Sequence, residues 1–155
     1  MSLIESRRQQ IFPVLNALEI QSAKRFGGEP RTFASGEVIF DLGERGAAIW
    51  FVLKGSIDIT RRDGLNSRTR IVSMEPGQFT GEMAELSGRG TLAAAHAGPD
   101  GCTAVPFTAE QVRALIIGMA ELGETVMRAF ILRRVDLLQG GTAGSVLIGQ
   151  PEPRT

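Results

Sequence analysis

Between Arg31 and Phe107 every apolar run is cut short by a glycine or a glycine-containing turn before it grows longer than a strand. The 19 glycines and 7 prolines of the 155-residue chain fall between short β-branched and aromatic runs rather than pooling in one flexible stretch, the punctuation of an all-β unit. RTFAS and EVIFD are two such runs on either side of Ser35-Gly36. AIWFVLKGSIDIT follows with Gly55 in its middle, and there Ile57 and Ile59 alternate with Ser56, Asp58 and Thr60 at period two. Asp63-Gly64 marks a hairpin with SRTRIVSM as the returning strand. MEPGQF is a further turn, and Gly98-Pro99-Asp100-Gly101 is expected to separate TLAAAHA from CTAVPF. Several short strands at this spacing predict a sandwich or barrel.

Helix brackets the β-rich middle. Ile4, Ile11, Leu15, Leu18 and Ala23 share spacings of one helical face, with Pro13 expected to open a second short helix and Gly27-Gly28 to end it. After Phe107, Thr108 and Gln111 form a capping-box pair ahead of Val112, Leu115 and Ile116. A longer amphipathic helix is predicted from about Met119 to Leu138. Glu121 and Glu124 lie near its start, and Arg128, Arg133 and Arg134 near its end, as the helix dipole favours. The expected layout is α+β: a helical lead-in over 3–27, an antiparallel β-roll or jelly-roll-like barrel over 31–107, and two helices over 108–138. The domain is expected to span 1–139, with 140–155 a glycine-rich linker and truncated tail.

Charge and reactive residues narrow the function. Seventeen Lys plus Arg balance seventeen Asp plus Glu. That balance removes the general attraction to nucleic acid or anionic lipid that a basic chain has, so direct nucleic-acid binding is not expected. The four arginines 61, 62, 68 and 70 around Asp63-Gly64 are read as a solvated hairpin tip. One cysteine and one histidine cannot form a disulfide or a zinc site, so no metal and no resident cofactor are expected. His96 and Cys102 are read as structural residues, and Trp50 and Phe51 as core. No nucleophile, metal-protease or Walker motif is present, so no catalytic residue is assigned. No apolar run approaches the roughly 18 residues of a membrane span, and a cytoplasmic location is expected.

The stretch with chemistry is PGQFTGEMAELSGRGTLAAA, Pro76 to Ala95. Glycine at 81 lets backbone approach a ligand, and amides at Met83 and Ala84 would carry partial positive charge at the start of a short helix. Glu82 is placed to accept from a sugar hydroxyl, and the guanidinium fork of Arg89 fits two phosphate oxygens. On spacing alone, a surface loop with a Glu–Arg ion pair fits equally well.

The glycine turns ASGEVIF, DLGERG and FVLKGSIDI, followed by Gly77-Gln78-Phe79-Thr80-Gly81-Glu82, resemble the cyclic nucleotide-binding domain over residues 12–138. The resemblance implies a regulatory domain that binds cAMP or cGMP. Glu82 would take the ribose 2′-hydroxyl and Arg89 the cyclic phosphate. Gly81, Met83 and Ala84 would line the phosphate with backbone, and Gly90 and Thr91 would approach the ligand after the arginine. The segment from Glu82 to Arg89 is shorter than in the family's well-known regulators, and the proline usual before the arginine is Gly88. The alternative is therefore a ligand-free interaction module that dimerises through the last helix, where Val126, Phe130, Leu137 and Leu138 offer apolar surface. AELSGR, and AELGETVMRAFILRRVDLL followed by GSVLIG, are also similar to the N-terminal regulatory domain of bacterial thioredoxin-reductase-like flavoproteins. That likeness implies an attached reductase using FAD and NADPH, absent from these residues.

Overall fold

The computed structural model describes residues 3–41, 44, 47–62, 68–81 and 93–138. Two helices, α1 (Leu3–Ile11) and α2 (Ala17–Lys24), precede five strands: β1 (Arg31–Phe33), β2 (Val38–Phe40), β3 (Ile49–Arg62), β4 (Arg68–Met74) and β5 (Ala94–Phe107). Helices α3 (Ala109–Gly118) and α4 (Ala120–Leu138) follow. All strand pairings are antiparallel, in the order β1-β5-β3-β4 with β2 also on β5. The α+β expectation, helices flanking an antiparallel β-roll, is what the chain folds into.

Strand β3 explains the apolar run at its start. Trp50 and Val52 enter one buried cluster with Phe33, Phe40, Ile57 and Met74. Ile49 and Phe51 enter a second with Phe79, Phe107, Leu115, Val126 and Phe130. Both faces of this half-strand are covered, by the roll on one side and by the C-terminal helices on the other, so alternation gives way to continuous hydrophobicity. Phe107, Phe51, Phe79 and Phe130 form a ring chain within the second cluster, from β5 and β3 to α4. Their centroids are 4.4, 4.9 and 5.7 Å apart in that order, within the range where aromatic pairs attract beyond their buried area.

Three local expectations are corrected. Helix α2 opens not at Pro13 but after Asn16, whose side-chain oxygen accepts from the Glu19 amide at 2.8 Å while Glu19 accepts from the Asn16 amide at 2.9 Å. This reciprocal cap satisfies two orphan donors, and Leu15 is held outside the helix by donating to the Gly77 carbonyl. Leu18 leaves the expected stripe and is 75% exposed, because the break before Asn16 resets the helical phase. Residues 98–101 are not a turn between two strands but an excursion inside one. Gly55 pairs with Cys102 and Ile57 with Ala97, so one residue of β3 faces four of β5. The excursion separates the part of β5 that pairs β1 from the part that pairs β2.

The Thr108–Gln111 capping box forms as expected, and β3 and β4 pair antiparallel; the turn expected at Asp63-Gly64 lies outside the described residues. His96 and Cys102 are buried, at 7% and 4% exposure. Burial pushes the Cys102 thiol from 9.0 up to about 11.

Candidate functional site

The site begins where the chain leaves Met74. Gly77 has φ of +91°, and a Cβ there would meet the Leu15 carbonyl oxygen at 2.6 Å, so only glycine turns the chain here against the start of α2. Gln78 fixes the turn from both ends: its Oε1 accepts from the Glu75 amide at 2.7 Å and its Nε2 donates to the Phe12 carbonyl at 3.2 Å. Three backbone hydrogen bonds then dock the segment on β3. Gly77 donates to Val52, Val52 to Gln78, and Thr80 to Trp50, each at 2.9 Å. The Thr80 hydroxyl accepts from the Trp50 amide in return, also at 2.9 Å. Phe79 is fully buried between Phe51 and Phe130.

Gly81 leaves this anchored stretch against the last helix. A Cβ at Gly81 would overlap the Phe130 ring and come within 2.7 Å of Arg133 Nη1. The glycine is required by close approach of helix α4 rather than by a left-handed backbone. Arg133 is 6% exposed. Its Nε donates to the Ile11 carbonyl at 2.9 Å and its Nη2 to the Phe79 carbonyl at 3.2 Å. The guanidinium also lies 4.9 Å from the Phe12 ring centroid and 5.1 Å from that of Phe79.

Of the expected ligand residues, the structure describes Gly81. Glu82, Met83, Ala84, Arg89, Gly90 and Thr91 lie outside the described residues, which resume at Ala93. Ala93, Ala94 and Ala95 are buried, so both ends of the 82–92 segment start from packed backbone. Among the described residues no group of three His, Cys, Asp or Glu is arranged to hold a metal ion. Nor is any described helix long and apolar enough to cross a membrane.

The profile of the cyclic nucleotide-binding domain matches residues 30–118, more than half of the chain. The chain belongs to that family. Membership makes it a regulatory binding domain rather than an enzyme. The catabolite activator protein of Thermus thermophilus is similar at 24% identity and a TM-score of 0.65, over 84% of this chain and 62% of that one. The c-di-GMP-responsive global regulator CLP of Xanthomonas campestris is similar at 16% identity and a TM-score of 0.64, over 80% and 60%. A protein of a cyclic-GMP-dependent signalling pathway in bacterial phytopathogenesis is similar at 24% identity and a TM-score of 0.63, over 79% and 96%. The chain thus spans about three fifths of the length of the first two. At these identities the likeness is one of fold. No curated protein matches the chain.

Two readings of the last helix change. Val126 and Phe130 were expected to offer apolar surface, yet they are 0% and 3% exposed because they pack on the roll. The side chains of Leu137 and Leu138 lie outside the described residues. Among the described side chains of α4, Met127 and Ile131, one turn apart, are the large apolar ones left exposed, at 44% and 53%. Arg133, expected as a cation near the helix C-terminus, is instead buried at the edge of the site. Its position three residues after Phe130 was the available signal, since such pairs share a helix face.

Proposed function

We propose that this domain, residues 1–139, senses a cyclic nucleotide, cAMP or cGMP. The family match to residues 30–118 carries the reading, because that span contains Gly81-Glu82 and Arg89. Glu82 accepts from the ribose 2′-hydroxyl and Arg89 takes the cyclic phosphate, with backbone at Gly81, Met83 and Ala84 and the pair Gly90-Thr91 completing the contacts. The anchored approach over Phe79–Gly81 supports it, since a ligand that favours one path of this backbone also favours one seating of α4. No resident cofactor or metal is part of the proposal, nor is direct nucleic-acid binding, given the zero net charge. The exposed Met127 and Ile131 favour a homodimer through α4. They are equally the observation behind a second reading, a ligand-free dimerisation module.

Calorimetry of the purified chain with cAMP and with cGMP separates the two. Binding is expected, and Arg89→Ala should weaken it by about 1.5–3 kcal/mol, the worth of one charge-assisted contact. No heat at millimolar nucleotide overturns the sensor and leaves the module.

The output proposed is control of an attached thioredoxin-reductase-like flavoenzyme carrying FAD and using NADPH, on the likeness of AELSGR and of residues 120–149. In the complete gene product, saturating cyclic nucleotide should change the NADPH-dependent reductase rate. A reading frame ending at Thr155, or a rate indifferent to nucleotide, overturns that output.

A further inference from the structure

We infer that Arg133 is a positioning residue for the nucleotide segment, locking the backbone at Phe79–Gly81 to helix α4. The inference rests on the sensor reading above and names the group that would link ligand to helix. Three stretches far apart in sequence meet at this one guanidinium: the end of α1 through the Ile11 carbonyl, the approach to the site through the Phe79 carbonyl, and α4 itself. Phe12 and Phe79 lie 4.9 and 5.1 Å from it, and Phe130 lies 5.9 Å away on its own helix.

A planar group with donors on two edges and aromatic rings near it cannot shift without losing several contacts together. Burying a cation is a poor route to stability alone, since well-packed apolar residues often serve as well or better. What this cation adds is direction. Holding the Phe79 carbonyl sets the plane of the Phe79–Thr80 peptide, and the Thr80–Trp50 bonds set the next. The chain therefore reaches Gly81 on a fixed heading, with Nη1 of Arg133 against the space a Cβ would fill. Backbone that is to meet a ligand must be held to about half an ångström, and this contact supplies the support. Coupling is reciprocal, so a ligand that tightens Phe79–Gly81 also tightens α4.

The test uses the whole chain and three variants. Arg133→Gln removes the charge and part of the fork, Arg133→Lys keeps the charge without the fork, and Arg128→Gln alters an exposed arginine of the same helix. Without ligand, the Thr80 and Gly81 amides should exchange hydrogen about tenfold faster in both Arg133 variants, matching one lost hydrogen bond, and at the wild-type rate in Arg128→Gln. With cAMP or cGMP, affinity should fall about tenfold in both Arg133 variants, and the slowing of α4 exchange on binding should disappear. Failure of lysine to rescue identifies the fork rather than the charge as the cause. Should Arg133→Gln not fold, Arg133→Lys carries the test. Wild-type exchange at Thr80 and Gly81 in a folded Arg133 variant overturns the lock, and faster exchange with unchanged affinity overturns the positioning role. If the wild-type chain binds neither nucleotide, the sensor reading fails, and the ligand-free exchange still decides the lock.

Discussion

Phe51, Phe79 and Cys102 show how single side chains carry measurable consequences. Phe51 stacks on Phe79 and leans on Phe107, so Phe51→Ala opens a cavity that neither neighbour can fill. A loss of about 3–5 kcal/mol in urea unfolding is expected. Gly81→Ala forces a methyl into the Phe130 ring and should cost about 1–3 kcal/mol, read the same way. Cys102 gives a pH effect whose sign follows from burial. Its thiol is raised from 9.0 to about 11, so the folded chain keeps a proton that the unfolded chain releases. The contribution is whole below pH 9 and is lost as pH rises toward 11, at about 1.4 kcal/mol per unit. The stability difference between wild type and Cys102→Ala should shrink over that window, and a difference independent of pH would show that the thiol is not desolvated. Cys102 was legible as core from its apolar surroundings. Arg133 was not, because an arginine near a helix end is ordinarily a surface cation, and what buries this one comes from 54 and 122 residues away.

At the scale of elements, caps follow short-range chemistry. Thr108 and Gln111 satisfy each other's backbone three residues apart, and so do Asn16 and Glu19. Thr108→Ala and Asn16→Ala should each lower stability by about 1 kcal/mol in denaturant titrations. Arg128→Ala removes the 2.7 Å pair with Glu124, yet both side chains are well exposed, and a change within about 0.5 kcal/mol is expected. The Thr108 cap is legible in the sequence because its partner lies in the same turn. By residue type, Pro13 suits a first helical turn as well as Asn16 suits a cap, so local sequence does not choose between them. What decides between them is the bond from Leu15 to Gly77, a contact 62 residues long in sequence that holds the chain extended until Asn16. The excursion at 98–101 has the same origin. Glycine, proline and aspartate announce a change of direction there, but whether the strand ends or resumes depends on β3 alongside.

Across the whole molecule, β3 serves both buried clusters, so neither can dissolve alone. Trp50, the sole tryptophan, reports the cluster inside the roll, whereas Val112 and Leu115 of α3 and Leu122, Val126, Ala129 and Phe130 of α4 belong to the other. Tryptophan fluorescence and far-ultraviolet circular dichroism should therefore give one coincident unfolding transition. Helix loss at lower denaturant than the fluorescence change would mean that the C-terminal helices are a separate unit. Residue order by itself determined the α+β layout, the Thr108–Gln111 cap and the turns at Gly36 and Gly77, because patterning, caps and turn preferences are properties of neighbouring residues. Tertiary structure alone decided which α4 residues are core, where α2 begins, and that Arg133 faces the approach to the site. Each of these depends on which distant backbone carbonyls and rings arrive beside a residue, and local spacing does not encode that.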